Sequence, residues 1–321
     1  MTTAPAPTEA WPALPFAEIR ETCATLQLWT QIVGKIRLVK TPWLNHSWQV
    51  TLYVTTRGLT TSPIPDGERT FEITFDFLAQ TLRLETSDGP HEEVPLVAQP
   101  VAAFHAAVMA ALARLGVAVR IHPRPNELPD PVPFPEDHAP RVYDPAIALK
   151  FWRALVQIDR VFKAFRTGFI GKSSPVHFFW GGADLAVTRF SGRPAPLHKG
   201  GVPYLPDAVA REAYSHEVSS AGFWPGGGAI DYPAFYSYAY PEPAAFRTTP
   251  VRPAAAFYHP DLGEFLLSYE AVRQSPTPDA ALLEFLQSTY DAAANAGAWD
   301  RAALECDHGV PCVPRAIATP R

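Results

Sequence analysis

The densest group of side chains that could do chemistry lies in the segment SPVHFFWGGADLAVTRFSGR, residues 174–193. Imidazole exchanges protons near neutral pH, and the planar guanidinium group grips a carboxylate or a phosphate. The segment brings such groups to a predicted strand and its two ends: His177, Trp180, Asp184, Arg189 and Arg193. We interpret His177 and Asp184 as catalytic candidates and the arginines and Trp180 as substrate-binding candidates. The alternative is a structural ion pair between Asp184 and an arginine.

A second group lies in AYSHEVSSAGFWPGGG, residues 213–228. On a strand, Tyr214 and His216 share one face and Glu217 lies on the other. All three are catalytic candidates, and Trp224, beside the glycine run, is a substrate-binding candidate. The glycine run either lets backbone amides approach a ligand or is a turn between strands. It has neither the Lys-Ser/Thr nor the G-x-G-x-x-G pattern of a nucleotide site.

Tyrosines alternate along a further predicted strand, at Tyr236, Tyr238 and Tyr240. Side chains two residues apart on a strand share a face, so the three rings form one stripe. Such a stripe is either the wall of a ligand cleft or a half-buried surface of a sheet.

The histidines permit a metal site. His46, His177 and His216, with Glu217 or Asp184, could coordinate a catalytic zinc ion, which takes three protein ligands and a water. No pair has the i, i+4 helical spacing or the H-x-H strand spacing that is typical of such sites. The sequence therefore predicts no organic cofactor and leaves a metal ion as an alternative.

The segment HSWQVTLYVTTRGL in the first half of the chain is similar to HFFWGGADLAVTRFSGR in the second. Each has a preceding Gly-Lys pair, a histidine followed by aromatic residues, an L-x-V-T strand and an arginine. The match predicts an internal duplication, with His46 and Trp48 as substrate-binding residues. Gly34-Lys35 and Gly171-Lys172 are predicted helix ends. A paired role for them at a shared cleft is the alternative.

Hydrophobic periodicity predicts the elements that must position these groups. In the first half, helical spacing predicts a helix that ends at Gly34-Lys35, and strict alternation over 48–54 predicts a half-buried strand. Residues 71–84 predict a hairpin, which is followed by a helix that Gly116 closes.

The second half repeats this order of elements. Asp144 and Pro145 are the predicted cap and first residue of a helix. Residues 183–190 and the segment AFYSYAY predict strands, and a hairpin turns at 260–263. A last helix is predicted to begin at Thr277-Pro278.

A proline-rich segment at 123–143 has no helical or strand period and predicts an extended connector between domains. It separates a first half, 11–122, from a second half, 144–304, and 305–321 form a tail. The predicted fold class is α+β, with two pseudo-symmetric halves, each an antiparallel sheet with helices packed on one face. A ligand pocket is expected at or near the interface of the halves.

Composition excludes several classes of partner. The 321 residues include 27 Lys and Arg and 32 Asp and Glu, for a net charge of -5, and no basic block suggests a nucleic-acid partner. No apolar run is long enough to predict a membrane-spanning helix, and the first residues do not resemble a secretory signal. Three cysteines are typical of a reducing compartment. These features predict a cytoplasmic protein and leave its oligomeric state open.

Five long segments resemble those of an uncharacterised bacterial family, a domain of unknown function. They are QIVGKIRL, NHSWQVTLYVTTRGLTTSPIP, SPVHFFWGGADLAVTRFSGR, AYSHEVSSAGFWPGGG and LLEFLQSTYDAAA. The resemblance runs from Trp11 to about Leu304. It implies membership of that family but no activity and no catalytic residue.

The candidate residues support three hypotheses about function. The first is a small-molecule enzyme in which His, Arg and carboxylate groups perform acid–base chemistry without an organic cofactor. The second is a non-catalytic module that binds a ligand or a protein, and the third is a metal-dependent hydrolase. An enzyme requires the candidate side chains to converge in one concave pocket, with His177 and His216 close together.

Overall fold

The computed structural model describes residues 10–202 and 204–315. The chain has the predicted α+β architecture, with two antiparallel sheets and helices. The first half begins with helix α1 (Phe16–Lys40) and ends with helix α2 (Val101–Arg114). Its sheet has the order β1-β2-β4-β5-β6, and β3 pairs with β4. The strands are β1 (Tyr53–Val54), β2 (Gly58–Thr60), β3 (Ile64–Asp66), β4 (Arg69–Asp76), β5 (Thr81–Thr86) and β6 (His91–Pro95).

The second half begins with helix α3 (Pro145–Arg166) and builds a sheet of order β11-β12-β10-β9-β8-β7. Its strands are β7 (His177–Phe179), β8 (Asp184–Pro194), β9 (His216–Trp224), β10 (Ala234–Tyr240), β11 (Phe257–His259) and β12 (Glu264–Ser268). The other helices are α4 (Asp207–Ala213), α5 (Tyr269–Arg273), α6 (Pro278–Ala296) and α7 (Arg301–Leu304). Among the described helices, none is long and apolar enough to cross a membrane.

Several local signals in the sequence are confirmed by the backbone. The Asp144 carboxylate accepts hydrogen bonds from the amides of Ala146 and Ile147, and Pro145 opens α3, so the first turn of this helix is capped as predicted. Gly116 follows α2 with a φ of 70°, the left-handed conformation that glycine adopts without strain. Pro260 and Gly263 bound the turn between β11 and β12.

The strand predicted over 48–54 is wrong for most of its length. Residues Asn45–Val50 form a 3-10 helix, and only Tyr53–Val54 is a strand. His46 and Ser47 have φ values of 61° and 57°, and two consecutive left-handed residues cannot continue a strand. Within the same segment, the Leu44 amide donates a 3.0 Å hydrogen bond to Gln49 Oε1.

The predicted helix ends at the two Gly-Lys pairs are also wrong. Helix α1 continues through Gly34 and Lys35 to Lys40, and α3 ends at Arg166, before Gly171-Lys172. Gly34 serves packing rather than termination, since a Cβ built on it would lie 2.1 Å from Nε1 of Trp180. The bare helix surface therefore lets the indole of Trp180 lie against α1, where Nε1 donates a 2.8 Å hydrogen bond to the Val50 carbonyl.

Gly34→Ala is expected to destabilise the protein by about 1–3 kcal/mol, because the added methyl group would displace the Trp180 indole. Without this contact, alanine in a helix interior would be more stable than glycine by about 1 kcal/mol. Urea unfolding of the variant and the wild type measures whether the free energy of unfolding falls or rises. The same substitution in a Trp180→Leu background should cost less, and an equal cost in both backgrounds would contradict the assignment to Trp180.

The two sheets meet edge to edge. Leu52 and Phe178 exchange two backbone hydrogen bonds of 2.9 and 2.8 Å, which link the start of the first sheet to β7. One hydrophobic cluster contains buried residues from both halves. The connector 123–143 packs on this assembly, with Phe134 fully buried, and the domain boundaries placed at its ends stay a prediction.

Candidate functional site

A concave cavity of about 890 Å³ lies between one face of the second sheet, helix α1, the connector 123–143 and helix α4. Its position, where both halves and the connector meet, agrees with the pocket expected at their interface. Aromatic side chains form much of the walls and include Trp48, Trp180, Phe190, Tyr214, Tyr236 and Tyr238. Cavities of this size and lining are typical of small-molecule sites.

Strand β8 supplies the floor of the cavity. Asp184, Ala186 and Thr188 line it, whereas Leu185 and Val187 are buried in the core on the opposite face. This alternation follows from the two-residue period of a strand. Asp184 is therefore the carboxylate that the β8 pleat directs into the cavity.

Asp184 is held by a tyrosine and not by a cation. The Tyr236 hydroxyl donates a 2.5 Å hydrogen bond to Asp184 Oδ2. Burial raises the pKa of the Asp184 carboxyl to about 6, and the hydrogen bond from Tyr236 opposes that rise. The group can therefore gain and lose a proton near neutral pH.

A second carboxyl group, that of Glu127, reaches the same region from the connector. A Cβ built on Gly181 would lie 2.0 Å from Glu127 Oε1, so only glycine permits this approach. Glu127 Oε2 and Asp184 Oδ1 both lie within 4 Å of the corresponding point on Gly182. Burial and the charge of Asp184 raise the pKa of Glu127 to about 7.

Glu264, on β12, belongs to the same electrostatic group. Burial and the charge of Asp184 raise the pKa of Glu264 to about 7. Among the described residues, no lysine or arginine forms an ion pair with Glu127, Asp184 or Glu264. Asp184 and Glu127 therefore line the cavity without a lysine or arginine partner among the described residues, and Glu264, outside the lining, feels the charge of Asp184.

The tyrosine stripe forms part of the cavity wall. Tyr236 and Tyr238 line the cavity, and their rings are stacked with centroids 6.1 Å apart. The Tyr214 hydroxyl donates a 3.0 Å hydrogen bond to the Tyr238 hydroxyl oxygen. Tyr240 instead donates to the Pro196 carbonyl, away from the carboxyl groups. Two of the three tyrosines therefore belong to the wall.

Helix α1 contributes a lysine to the cavity wall. Lys35 is only 4% exposed, and its Nζ lies 5.7 Å from the centroid of the Trp180 ring. Its ammonium group donates a hydrogen bond to Asn126 Oδ1, and burial lowers the pKa of Lys35 to about 8. Asn126 is itself fixed, because its Nδ2 donates to the Tyr204 carbonyl and its amide donates to Gln31 Oε1.

His46 forms a second basic group with Lys172. The His46 Nδ1 lies 3.1 and 3.2 Å from the carbonyl oxygens of Glu212 and Ala213, so Nδ1 carries the hydrogen. His46 Nε2 then accepts a hydrogen bond from Lys172 Nζ at 2.5 Å. Burial, followed by the charge of Lys172, lowers the pKa of His46. The imidazole therefore stays neutral and orients the lysine.

The cavity brings together five of the eleven residues that the sequence singled out: His46, Trp48, Trp180, Asp184 and Tyr214. The other six lie outside its lining: His177, Arg189, Arg193, His216, Glu217 and Trp224. Each of the six is kept out of the cavity by its own position or contacts, which are described in turn below.

His177 is enclosed by aromatic side chains. It pairs with Ala186 and so lies on the cavity side of the sheet, but the rings of Trp48, Tyr53 and Phe179 surround it, each with a centroid 5.6 Å away. Only 1% of it is exposed, and neither ring nitrogen has a hydrogen-bond partner among residues 10–202 and 204–315. Burial, with smaller effects from two arginines, lowers the pKa of His177 to about 3. Its environment does not suit proton transfer near neutral pH.

Arg189 lies on the core side of β8. Its Nη2 donates a 2.6 Å hydrogen bond to the Phe165 carbonyl, and its guanidinium carbon is 3.5 Å from the centroid of the Phe165 ring. It also lies over Tyr290 at 4.4 Å. At 1% exposure it has no access to the cavity, so it cannot hold a substrate there.

The ion pair considered between Asp184 and an arginine is not formed among the described residues, and Arg193 pairs with Glu217 instead. Arg193 Nη2 is 2.7 Å from Glu217 Oε2, and Arg193 also donates to the carbonyls of Gly297 and Ala298. The pair therefore ties β8 and β9 to the end of α6. Trp224 is half-buried and packs on a separate small cluster around Ile230 and Ala234.

His216 contacts His46 with ring centroids 6.0 Å apart, but it does not meet His177. Trp48 lies between His46 and His177, at 5.3 Å from the former. Within residues 10–202 and 204–315, no three His, Cys, Asp or Glu side chains are arranged to hold a metal ion. The ligand set considered for zinc is therefore not assembled.

Sequence reasoning missed Glu127 and Glu264, and it named Lys35 only in the alternative that gave the two Gly-Lys pairs a role at a shared cleft. Glu127 follows prolines in a segment without periodicity and gives no sequence signal. Lys35 does give one, because a lysine inside the apolar run QIVGKIRL interrupts a buried helix face. A charged residue at such a position is rarely buried unless something requires it.

Comparison with known proteins identifies one family. The model described as "Family of unknown function (DUF5996)" matches residues 11–306. No curated protein sequence and no solved structure matches the chain.

Proposed function

Since the chain belongs to DUF5996, a family of unknown function, its activity must be inferred from the cavity, and we propose that it is a small-molecule enzyme that transfers protons between its carboxyl groups and a bound substrate. The observation that carries this proposal is the approach of Asp184 and Glu127, without a neutralising cation, inside an aromatic cavity of about 890 Å³. Acid–base catalysts need pKa values near the working pH, and both groups have them.

Asp184 and Glu127 can act as the base and the acid of the reaction, respectively. At pH 7 Asp184 is mostly ionised and can accept a proton, while Glu127 is partly protonated and can donate one. Because the charge of Asp184 raises the pKa of Glu127, the protonation states of the two groups are coupled. The hydroxyl of Tyr236 fixes the orientation of Asp184 and stabilises its ionised form.

The aromatic walls supply binding. Rings such as Tyr238, Trp48 and Phe190 offer flat apolar surface to a substrate and exclude water from the carboxyl groups. The six residues outside the cavity have no part in this mechanism. A protein that only binds a ligand would use the same walls without the proton transfer, and it is the alternative that the experiment must separate.

Asp184→Asn is expected to lower the turnover rate by at least about 100-fold, because asparagine keeps the hydrogen bond from Tyr236 but cannot accept a proton. A defined set of small metabolites is incubated with the wild-type protein in D₂O, and NMR detects chemical change or deuterium incorporation. Glu270→Gln, which alters an exposed carboxylate paired with Arg273, is the matched control and should retain full turnover. Ligand binding without any change in the bound compounds would instead establish the binding module.

A further inference from the structure

Lys35 is an unusual component of the cavity wall. It lies within helix α1, is 4% exposed and lines the cavity. In the part of the chain that the structure describes, no carboxylate pairs with it, and its polar contact is the neutral side-chain oxygen of Asn126. An ammonium group buried without a counterion costs free energy that methionine or leucine at this position would avoid.

The surroundings of Lys35 suit an amine that reacts in its neutral form. The indole of Trp180 covers one side and keeps water away, and α1 holds the stem of the side chain. Asn126, fixed by Gln31 and Tyr204, accepts a hydrogen bond from Nζ and so points the amine in one direction. Burial lowers the pKa of Lys35 to about 8, which leaves a substantial uncharged fraction in mildly alkaline solution.

We propose that Lys35 is a nucleophile that forms an imine with an aldehyde or ketone bound in the aromatic cavity. This inference deepens the proposed function, on which it rests, by naming carbonyl compounds as the substrate class. An imine would also give the carboxyl groups a task, since protons attached to the carbon next to an imine are easily removed.

The covalent step is balanced within the cavity. The lone pair of Nζ attacks the carbonyl carbon, a C–N bond forms and the carbonyl π bond breaks. The nitrogen passes one proton to the oxygen and a carboxyl group supplies a second, so that the C–O bond breaks, water leaves and the C=N bond forms as a protonated imine. A protonated carboxyl, such as Glu127, is the acid in the cavity that can supply the proton to the departing oxygen.

Reductive trapping tests the proposal. The wild-type protein is incubated at pH 8 with benzaldehyde, whose ring suits the aromatic walls, and with sodium cyanoborohydride, which reduces an imine to a stable secondary amine. Mass spectrometry of the intact protein should show one added benzyl group at low aldehyde concentration, and peptide mapping should place it on Lys35. We expect Lys35 to react at least ten times faster than Lys150, which is exposed on α3.

Matched variants guard against trivial outcomes. Lys35→Met and Lys35→Gln should lose the fast adduct, while Lys150→Gln should keep it. Both Lys35 variants should stay folded, because each removes a buried charge without a large change of volume. Thermal unfolding checks this, and one folded variant is sufficient.

The proposal is overturned if labelling is spread evenly over the lysines, or if Lys172, beside His46, is labelled in place of Lys35. If no adduct forms and inorganic phosphate instead binds to the wild-type protein but not to Lys35→Gln, Lys35 is an anion-binding residue. That result would also overturn the proposal. Because trapping needs no turnover, its failure is distinct from that of the proposed function. Loss of turnover in Asp184→Asn with no trapping at Lys35 would refute only the imine.

Discussion

Asparagine in place of Asp184 is expected to raise the free energy of unfolding by on the order of 2 kcal/mol at pH 8. Burial raises the pKa of Asp184 from 3.8 to about 6, so the folded protein holds this proton more tightly than the unfolded chain. Stability is therefore lost as the pH rises from about 4 through 6, and the loss is complete above pH 6. Asparagine is neutral at every pH, so the variant does not undergo this loss of stability. Urea unfolding of both proteins at several pH values measures the difference.

Glu270→Gln gives a control of the opposite sign. The hydrogen bond and charge of Arg273 lower the pKa of Glu270, so its ionised form contributes stability that is present above its unfolded pKa and is lost as the pH falls. Its removal should therefore cost a little stability at pH 8, because the pair is at the surface. If Asp184→Asn were also less stable than wild type at pH 8, the carboxylate would have a stabilising partner, and the account of an uncompensated cavity charge would be wrong.

The expected gain in stability on removing the Asp184 charge indicates that the charged groups of the cavity are kept at a cost in stability. Asp184, Glu127, Glu264 and Lys35 each carry a charge that the fold makes less favourable than water does. Neutral residues at these positions would give a more stable protein. Strain at His46 and Ser47, which are both left-handed beside the cavity, points the same way. The cavity is therefore one of the places where the fold gives up stability.

Local features of this fold could be predicted because their causes are local. The cap of α3 needs only Asp144 and Pro145, and the alternation of Asp184 with Leu185 needs only the pleat of a strand. The same pleat rule separates Arg189 from Asp184, since the two residues are five positions apart and an odd separation puts side chains on opposite faces of a strand. Arg189 was grouped with Asp184 for nearness along the chain, although the period of the strand already directs the two side chains to opposite faces.

The composition of the site could not be predicted, because its members meet only in the folded protein. Lys35 lies on α1, Glu127 on the connector and Asp184 on β8, and no periodicity relates positions so far apart. The same limit applies to His177, whose strand position directs it to the cavity side, while Trp48 and Tyr53 from the first half cover it. The reason for a glycine inside α1 at position 34 is likewise remote along the chain, since Trp180 packs against it.

His177→Leu is expected to stabilise the protein, and its advantage over wild type should widen by about 2 kcal/mol between pH 7 and pH 5. Both imidazole nitrogens of His177 are buried without a partner, and leucine of similar volume leaves no polar group unsatisfied. The pKa falls from 6.5 to about 3 on folding, so below pH 6.5 the unfolded chain binds a proton that the folded protein excludes. Stability of the wild type is therefore lost as the pH falls through this range.

Urea unfolding at pH 7 and pH 5 measures how the stability difference between His177→Leu and wild type changes with pH. This change distinguishes a histidine that is buried in its neutral form from one that binds and releases protons. His91→Gln, at an exposed position on β6, is the control and should leave the wild-type pH dependence unchanged. A histidine that binds a proton in the folded protein at pH 5 would show no widening in His177→Leu. That result would mean that a polar partner or water reaches the imidazole between Trp48 and Tyr53, and it would restore His177 as a proton carrier. Widening instead leaves the carboxyl groups and Lys35 as the chemical groups of the cavity, because an imidazole that excludes protons down to pH 5 cannot shuttle them at pH 7.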